Sequence, residues 1–555
     1  MVTHATWPAV GIDQAFTLLT GMLRHAGDPR QAWPEPAQGL LPGPFGFYTV
    51  MLLVFAAETV LLAFGVRWFR GDRPTRGMAA TADLDKTLSS AAVLARGRRI
   101  RPGLTGKPAL ADVAVDLGTV GRRHLYAGLE SSVLLIAPPR QGKTSQVIIP
   151  WLRSFPGAAV VTSVRTDVLQ ATAALRRGTA WLLDLDTHTV WPHQVRWTPI
   201  AGAADFDVAY RRADVMIQVG KQDSASDSSN AGFFAMTATN LLACWLHTAA
   251  LTSRTMDDVL TWSLDASIDT PIKLLRDASG AREGVVKLLD AFYRQPDSTR
   301  ANLWSTVQTG TSVLLGRTAA RVFSGPATDS FDIEAFLRSG CDTLYLVVDE
   351  KKADALAPLI TAFVEEITTV AIGLAKQSEN LRLDPPLGLI LDEVSNVVPL
   401  PDLPNTMSFA AGFGIFTVAV LQNLAAAERR WHRVGREELW KNSTVKIALG
   451  GLAGDDLDAF SQLAGTYRET LIIPQHHRDH VTLQASVVDR KTLSPDAIRT
   501  LDERRREALI IHATTPPVIT RMQRHYEGPH AADHTRAIAH AHTLMHPEPA
   551  TGATP

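Results

Sequence analysis

Cysteine is nearly absent: Cys244 and Cys341 are the two among 555 residues, with no CxxC pair and no cysteine–histidine spacing of the kind that holds zinc. A disulfide framework and a structural zinc centre are thereby excluded. Both cysteines sit among apolar neighbours, so two buried free thiols in a reducing compartment are expected. An excess of either charge is also missing, with 55 Lys and Arg against 56 Asp and Glu. A blanket, histone-like affinity for nucleic acid is excluded, and any such surface has to be local. What is plentiful is apolar side chain. At 46% hydrophobic and 20% charged, the composition rules out a mainly disordered chain and implies a large core. The length corresponds to roughly three to four domains of ~150 residues.

One segment is almost free of charge. Residues 45–66, FGFYTVMLLVFAAETVLLAFGV, contain Glu58 alone. As a helix they reach about 33 Å, enough to cross ~30 Å of hydrocarbon. The run is apolar on every face, unlike a surface-packed core helix, and it is too long and too far from the N-terminus for a cleaved signal. Arg67, Arg70, Arg73 and Arg76 follow it against Asp72, whereas residues 1–44 hold Arg24 and Arg30 against Asp13, Asp28 and Glu35. The positive-inside rule then predicts a single-pass protein of the cell (inner or plasma) membrane, N-terminus outside and bulk in the cytoplasm. The patch 15–23 is too short to span; Phe16, Leu19 and Leu23 share one helical face, as in an interfacial helix. Glu58 faces either a protein partner or polar pathway, or lipid as a neutral carboxyl.

From Arg67 to Arg123 twelve Lys and Arg stand against five Asp and Glu, an excess of seven. Part of this is the membrane flank; the cluster Arg98, Arg99 and Arg101 has another role or forms a solvated face. Short apolar runs then recur between helical stretches: 131–137, 158–164, 180–186, 341–349, 387–393, 414–422 and 443–451. Continuous runs of this type predict a mostly parallel sheet covered on both faces. Between 203 and 320 they stop and helical periodicity takes over, as in an all-α insertion. The tail from 528, with His530, His534, His540, His542 and His546, reads as disordered, with metal binding as the alternative.

After the first run comes A-P-P-R-Q-G-K-T, Ala137 to Thr144, which matches the phosphate-binding loop G-x-x-x-x-G-K-[ST] except for Ala137 in place of the first glycine. The loop Pro138, Pro139, Arg140, Gln141 and Gly142 would wrap phosphates with the backbone N–H groups of its non-proline residues, and the helix opening at Thr144 and Ser145 would aim its positive end at them. Lys143 would bridge the β- and γ-phosphates of ATP, and Thr144 would offer its hydroxyl to Mg2+. At 249 positions beyond Lys143 (392 − 143), the run LGLIL delivers Asp392 and Glu393. Asp392 would hold the magnesium and Glu393 would polarise the attacking water. Gln422, at the end of another run, could sense the γ-phosphate.

The combination resembles the type IV secretion coupling proteins, membrane-anchored ATPases that bring DNA to a conjugation channel. The resemblance covers most of residues 90–526 and rests on 137–150, RWTPIAG (196–202), 331–360, 389–423 and 442–451, including the Asp392–Gln422 spacing. It implies an α/β RecA-like P-loop NTPase domain (77–202 and 321–527), an inserted all-α domain (203–320), and an N-terminal segment with its transmembrane helix (1–76). It also implies ATP and Mg2+ as cofactors, DNA without sequence preference, a relaxase and channel proteins as partners, and a homo-hexamer. Two departures stand out besides Ala137. Residues 163–167 read S-V-R-T-D where many relatives have Asp-Pro-Lys, and one span is found where many have two. A trans-acting arginine is sought among Arg429, Arg430 and Arg468. Competing readings are a DNA pump of the FtsK sort, a protein-secretion ATPase and a non-hydrolysing substrate receptor.

Overall fold

The computed structural model describes residues 12–35, 37–70, 77–185, 189–221, 231–476 and 481–547. They form two compact units, Met1–Arg76 and Gly77–Pro555.

The first unit contains the helices Ile12–Arg24 and Pro44–Arg70. In the longer one, the Thr49 and Thr59 hydroxyls donate to the Phe45 and Phe55 carbonyls (2.8 and 2.7 Å), so both are satisfied within the helix. Among the described residues three helices are long and apolar enough to cross a membrane. In the apolar stretches of Gly232–Leu251 and Glu350–Gln377, 61% and 72% of the residues are buried inside the protein, whereas in Pro44–Leu62 none is. Leu19, Leu23 and Glu58 are exposed. Asp72, Arg73 and Arg76, and the side chains of Phe16, Arg67 and Arg70, lie outside the described residues.

The second unit is built on one mixed sheet. Its parallel strands are β3 (Val133–Ile136), β4 (Ala159–Ser163), β5 (Ala180–Asp184), β6 (Thr343–Val347), β7 (Leu387–Leu391), β8 (Ile415–Leu421) and β9 (Val445–Leu449). These are the seven apolar runs of the sequence. Four antiparallel strands extend the sheet: β1 (Ala114–Val120), β2 (Arg123–Gly128), β12 (Glu507–His512) and β13 (Thr515–Arg521). The order is β2-β1-β13-β12-β9-β3-β8-β7-β4-β6-β5, and a separate hairpin pairs β10 (Thr466–His476) with β11 (Val481–Lys491). Along the central strands alternate residues enter two different cores. Leu134, Ile136, Leu389, Leu391, Ala419 and Leu421 face one; Val133, Leu135, Ile390, Val418 and Val420 face the other. That two-sided burial is why these strands read as unbroken apolar runs.

Every described element from Phe206 to Phe323 is helical, and its apolar side chains join the first core together with the sheet. Two expectations are corrected. The tail is not disordered over Ala531–Met545 but helical. Ala537, Ala541 and Met545 are buried, and His534 Nδ1 donates to the Ala171 carbonyl at 2.8 Å; residues 548–555 lie outside the described set. Cys244 is fully buried, its thiol pushed up to about 12 by burial, but Cys341 is only half-buried. In the basic cluster, for which the sequence leaves open both a solvated face and another role, Arg101 is buried against Asp384, and the exposed Arg99 pairs with Glu130 at 2.8 Å. Among the described residues no His, Cys, Asp and Glu cluster could hold a metal ion.

Candidate nucleotide site

Three neighbouring strands, β3, β8 and β7, end on the same rim of the sheet, and the loops that leave them carry the polar groups. Ala137 is wholly buried; its N–H donates to the Leu421 carbonyl at 3.0 Å, which ties the start of the loop to β8. The loop turns through two left-handed residues, Arg140 (φ 65°) and Gly142 (φ 82°), the habit that gathers N–H groups into an anion-binding hollow. A Cβ at Gly142 would run into the Gln146 amide. The following helix opens with one π turn, Thr144–Ile148. Pro150 has no N–H to return to the Gln146 carbonyl, which accounts for the wider turn.

Lys143 extends from this loop to both acids at the end of β7. Its ammonium pairs with Glu393 and lies 3.3 Å from Asp392 Oδ1. Gln422 Nε2 donates to the second Glu393 oxygen at 3.0 Å, and the Glu393 N–H donates to Asp392 Oδ1 at 3.1 Å. Glu393 is left-handed (φ 51°), a conformation that non-glycine residues keep only when their surroundings enforce it. Asp392 and Glu393 are 3% and 8% exposed. Burial pushes the Asp392 carboxyl up to about 6, against the pull of Lys143. Burial also opposes the charge on Lys143, but the two carboxylates outweigh it and hold the ammonium above its ordinary value.

Lys143, Asp392, Glu393 and Gln422 thus form one bonded group, with Thr144 next in the chain. Gln141 turns its amide toward Gly450 and Gly451, and the Ser145 carbonyl accepts from the His525 N–H at 2.9 Å. A cleft of about 530 Å³ beside the loop is lined by Pro138, Pro139, Gln422, Asn423, Arg436 and Gly451. Arg436, held 3.3 Å from Glu428, escaped sequence reasoning: it lies on the helix Leu424–Asn442, in no motif. His525 was missed likewise. Of the three candidate trans-acting arginines, Arg430 is buried, while Arg429 and Arg468 are exposed.

The family model described as type IV secretory system conjugative DNA transfer matches residues 81–546. The chain belongs to this family. Protein VirD4 of Rhizobium rhizogenes is 21% identical over 418 residues, covering 73% of this chain and 60% of that protein. Protein VirD4 of Agrobacterium fabrum is 23% identical over 506 residues, covering 87% and 70%. The chain therefore spans about six-tenths of the Rhizobium relative. Among solved structures, the unbound bacterial conjugative coupling protein TrwB superposes with a TM-score of 0.57 at 16% identity, over 80% of this chain and 94% of that one. The plasmid coupling protein TrwB in complex with the non-hydrolysable ATP analogue ADPNP gives 0.55 at 16% identity, over 79% and 92%. The fold is thus that of the TrwB structures, an α/β domain on a large mixed sheet.

Proposed function

We propose that this chain is a membrane-anchored ATPase that couples ATP hydrolysis to the recruitment and translocation of DNA, or of a DNA–protein complex, in conjugative transfer. The observation that carries the reading is the bonded group Lys143–Asp392–Glu393–Gln422 at the mouth of a phosphate loop. TrwB binds ADPNP, and in another complex ADP and Mg2+, on the same fold.

The residues fit a magnesium nucleotide. Gly142 takes a left-handed conformation at which a Cβ would run into the Gln146 amide, so the tight loop needs glycine there. Lys143 spans a pair of carboxylates whose combined charge exceeds its own, and Thr144 with Asp392 offers the hard oxygens that magnesium prefers. Magnesium bound there supplies positive charge beside the phosphate oxygens. Lys143, released from Glu393 by an arriving γ-phosphate, turns its ammonium to the β- and γ-oxygens. Glu393 is then free to accept a proton from water, and Gln422, still bonded to it, orients that carboxylate and reports whether the γ-phosphate is present. Ala137, Pro138, Pro139, Arg140 and Gln141 shape the cradle, and Ser145 continues the helix whose N-terminus faces it.

In this reading residues 45–66 are the single span, residues 203–320 are an inserted helical domain, and the motor lies in the cytoplasm. It works as a homo-hexamer on DNA that a relaxase and channel proteins hand over and receive. Lys143→Ala is expected to abolish ATP turnover. Glu393→Gln is expected to keep nucleotide binding and lose about 10²–10⁴-fold in rate. Phosphate release and labelled-nucleotide binding by the folded full chain in detergent check both. Near-normal turnover in either variant overturns the assignment.

A further inference from the structure

The nucleotide site occupies the C-terminal ends of the parallel strands. The opposite rim, about 17 Å away across a five-residue strand, has a chemistry of its own. There the turn before β7, the turn before β8 and residues 96–103 meet. Arg101 pairs with Asp384, the Gly103 N–H donates to Asp384 Oδ2 at 2.5 Å, and the Leu383 N–H donates to the Phe413 carbonyl at 2.9 Å. Six cations belong to this rim: Arg96, Arg98, Arg99, Arg101, Lys376 and Arg382. Glu130 and Asp384 are the acids paired with them, an excess of four (6 − 2). Glu130 takes Arg96 and Arg99 at 2.9 and 2.8 Å, and Asp384 takes Arg101. Arg382 makes no direct ion pair among those described, although the charges of Glu130 and Asp384 both reach it. Its Nε and one terminal nitrogen are buried and find no acceptor among the described residues. The residue as a whole is half-buried, and a guanidinium's planar fork suits a phosphate.

Aromatic surface lies beside this charge. Phe409 is 40% exposed and meets Phe413 edge-to-face, with ring centroids 6.3 Å apart. The exposed Lys376 holds its ammonium 5.9 Å from the Phe413 centroid. Basic side chains interleaved with exposed rings grip unpaired bases by stacking and the backbone by charge, without reading sequence.

We propose that this rim is a binding surface for single-stranded DNA, with Arg382 and Arg99 on a backbone phosphate, Lys376 on the next and Phe409 against a base. The proposal rests on the DNA-motor reading and refines it by placing the strand on the rim away from ATP hydrolysis.

The test is fluorescence anisotropy of a labelled oligothymidine with the full chain in detergent, at low and moderate salt. Phe409→Ala is expected to weaken binding about tenfold. Lys376→Ala and Arg382→Gln are expected to weaken it and to lower the salt slope by ~0.7 for each phosphate no longer neutralised, with DNA-free ATP turnover unchanged. Lys287→Ala, on the exposed face of the helix Glu283–Tyr293, should bind like the unaltered chain. If Arg382→Gln fails to fold, the surface pair Lys376→Ala and Phe409→Ala decides. Binding by the unaltered chain that these variants leave intact overturns this surface and spares the DNA reading; no binding by the unaltered chain overturns both. Variants that lose short-chain phosphatidylglycerol but keep the oligonucleotide mark a lipid site, and the proposal fails.

Discussion

Asp392 works under opposing demands. Its place at the end of β7 buries it and pushes its carboxyl up to about 6, while Lys143 favours the ionised form. Between the ordinary 3.8 and about 6 the folded chain therefore holds a proton that the unfolded chain has released. The stability contributed by this group falls as pH rises through that window. With Asp392 in its proposed place as a magnesium ligand, turnover runs the other way, because a metal ligand must be ionised. Two results are expected. ATP hydrolysis at low nucleotide should fall on the acid side of about 6. In urea titrations Asp392→Asn should gain stability relative to the unaltered chain as pH rises from 3.8 to about 6. A flat rate profile through that region would sink the assignment. Lys143, Asp392 and Gln422 were legible in sequence because each follows an apolar strand at a spacing the chemistry demands. Arg382, Arg436 and His525 were not, because each acquires its surroundings from segments far away in the chain.

Strands that bury both faces announced themselves; those that bury one did not. β3 to β9 are unbroken apolar runs, whereas β1 bends at a register shift between Asp116 and Gly118, and β13 contains Pro516 and Pro517. Such strands look like loops until a sheet pairs them. The helix Ala531–Met545 was hidden differently. Its buried stripe, His534, Ala537, Ala541 and Met545, has helical spacing but is made of small or polar residues, so composition pointed to a solvated tail. It packs on the helix Asp167–Thr172, near the strand that follows the phosphate-loop helix. Met545→Ala should cost about 2 kcal/mol, and Ala541→Asp more, since it buries an unpaired charge. Chemical denaturation of the full chain measures both. Unchanged midpoints would mean that this helix does not dock in solution.

A chain with a formal net charge of −1 has no long-range pull on DNA, so a motor built from it must concentrate its basic groups. The proposed ring would do this by repeating every local cluster around an axis, and it would also bring exposed arginines of one copy toward the candidate nucleotide cleft of the next. Arg429 and Arg468 are exposed on the motor unit, and Arg436 already lines the cleft of its own chain. If the pocket is completed by a neighbour, turnover per subunit must rise with protein concentration, and single-stranded DNA must raise it further by favouring assembly. Added salt should remove the DNA effect first, because each phosphate that is let go takes counterions back. The concentration effect should persist longer, being set by packing between copies as well as by charge. The measurement is ATPase rate per subunit against concentration of full-length protein in detergent, with and without DNA, at two salt levels. A rate that stays flat with concentration in assembled protein and does not respond to DNA would remove the motor reading and leave a receptor or a protein-secretion ATPase in its place.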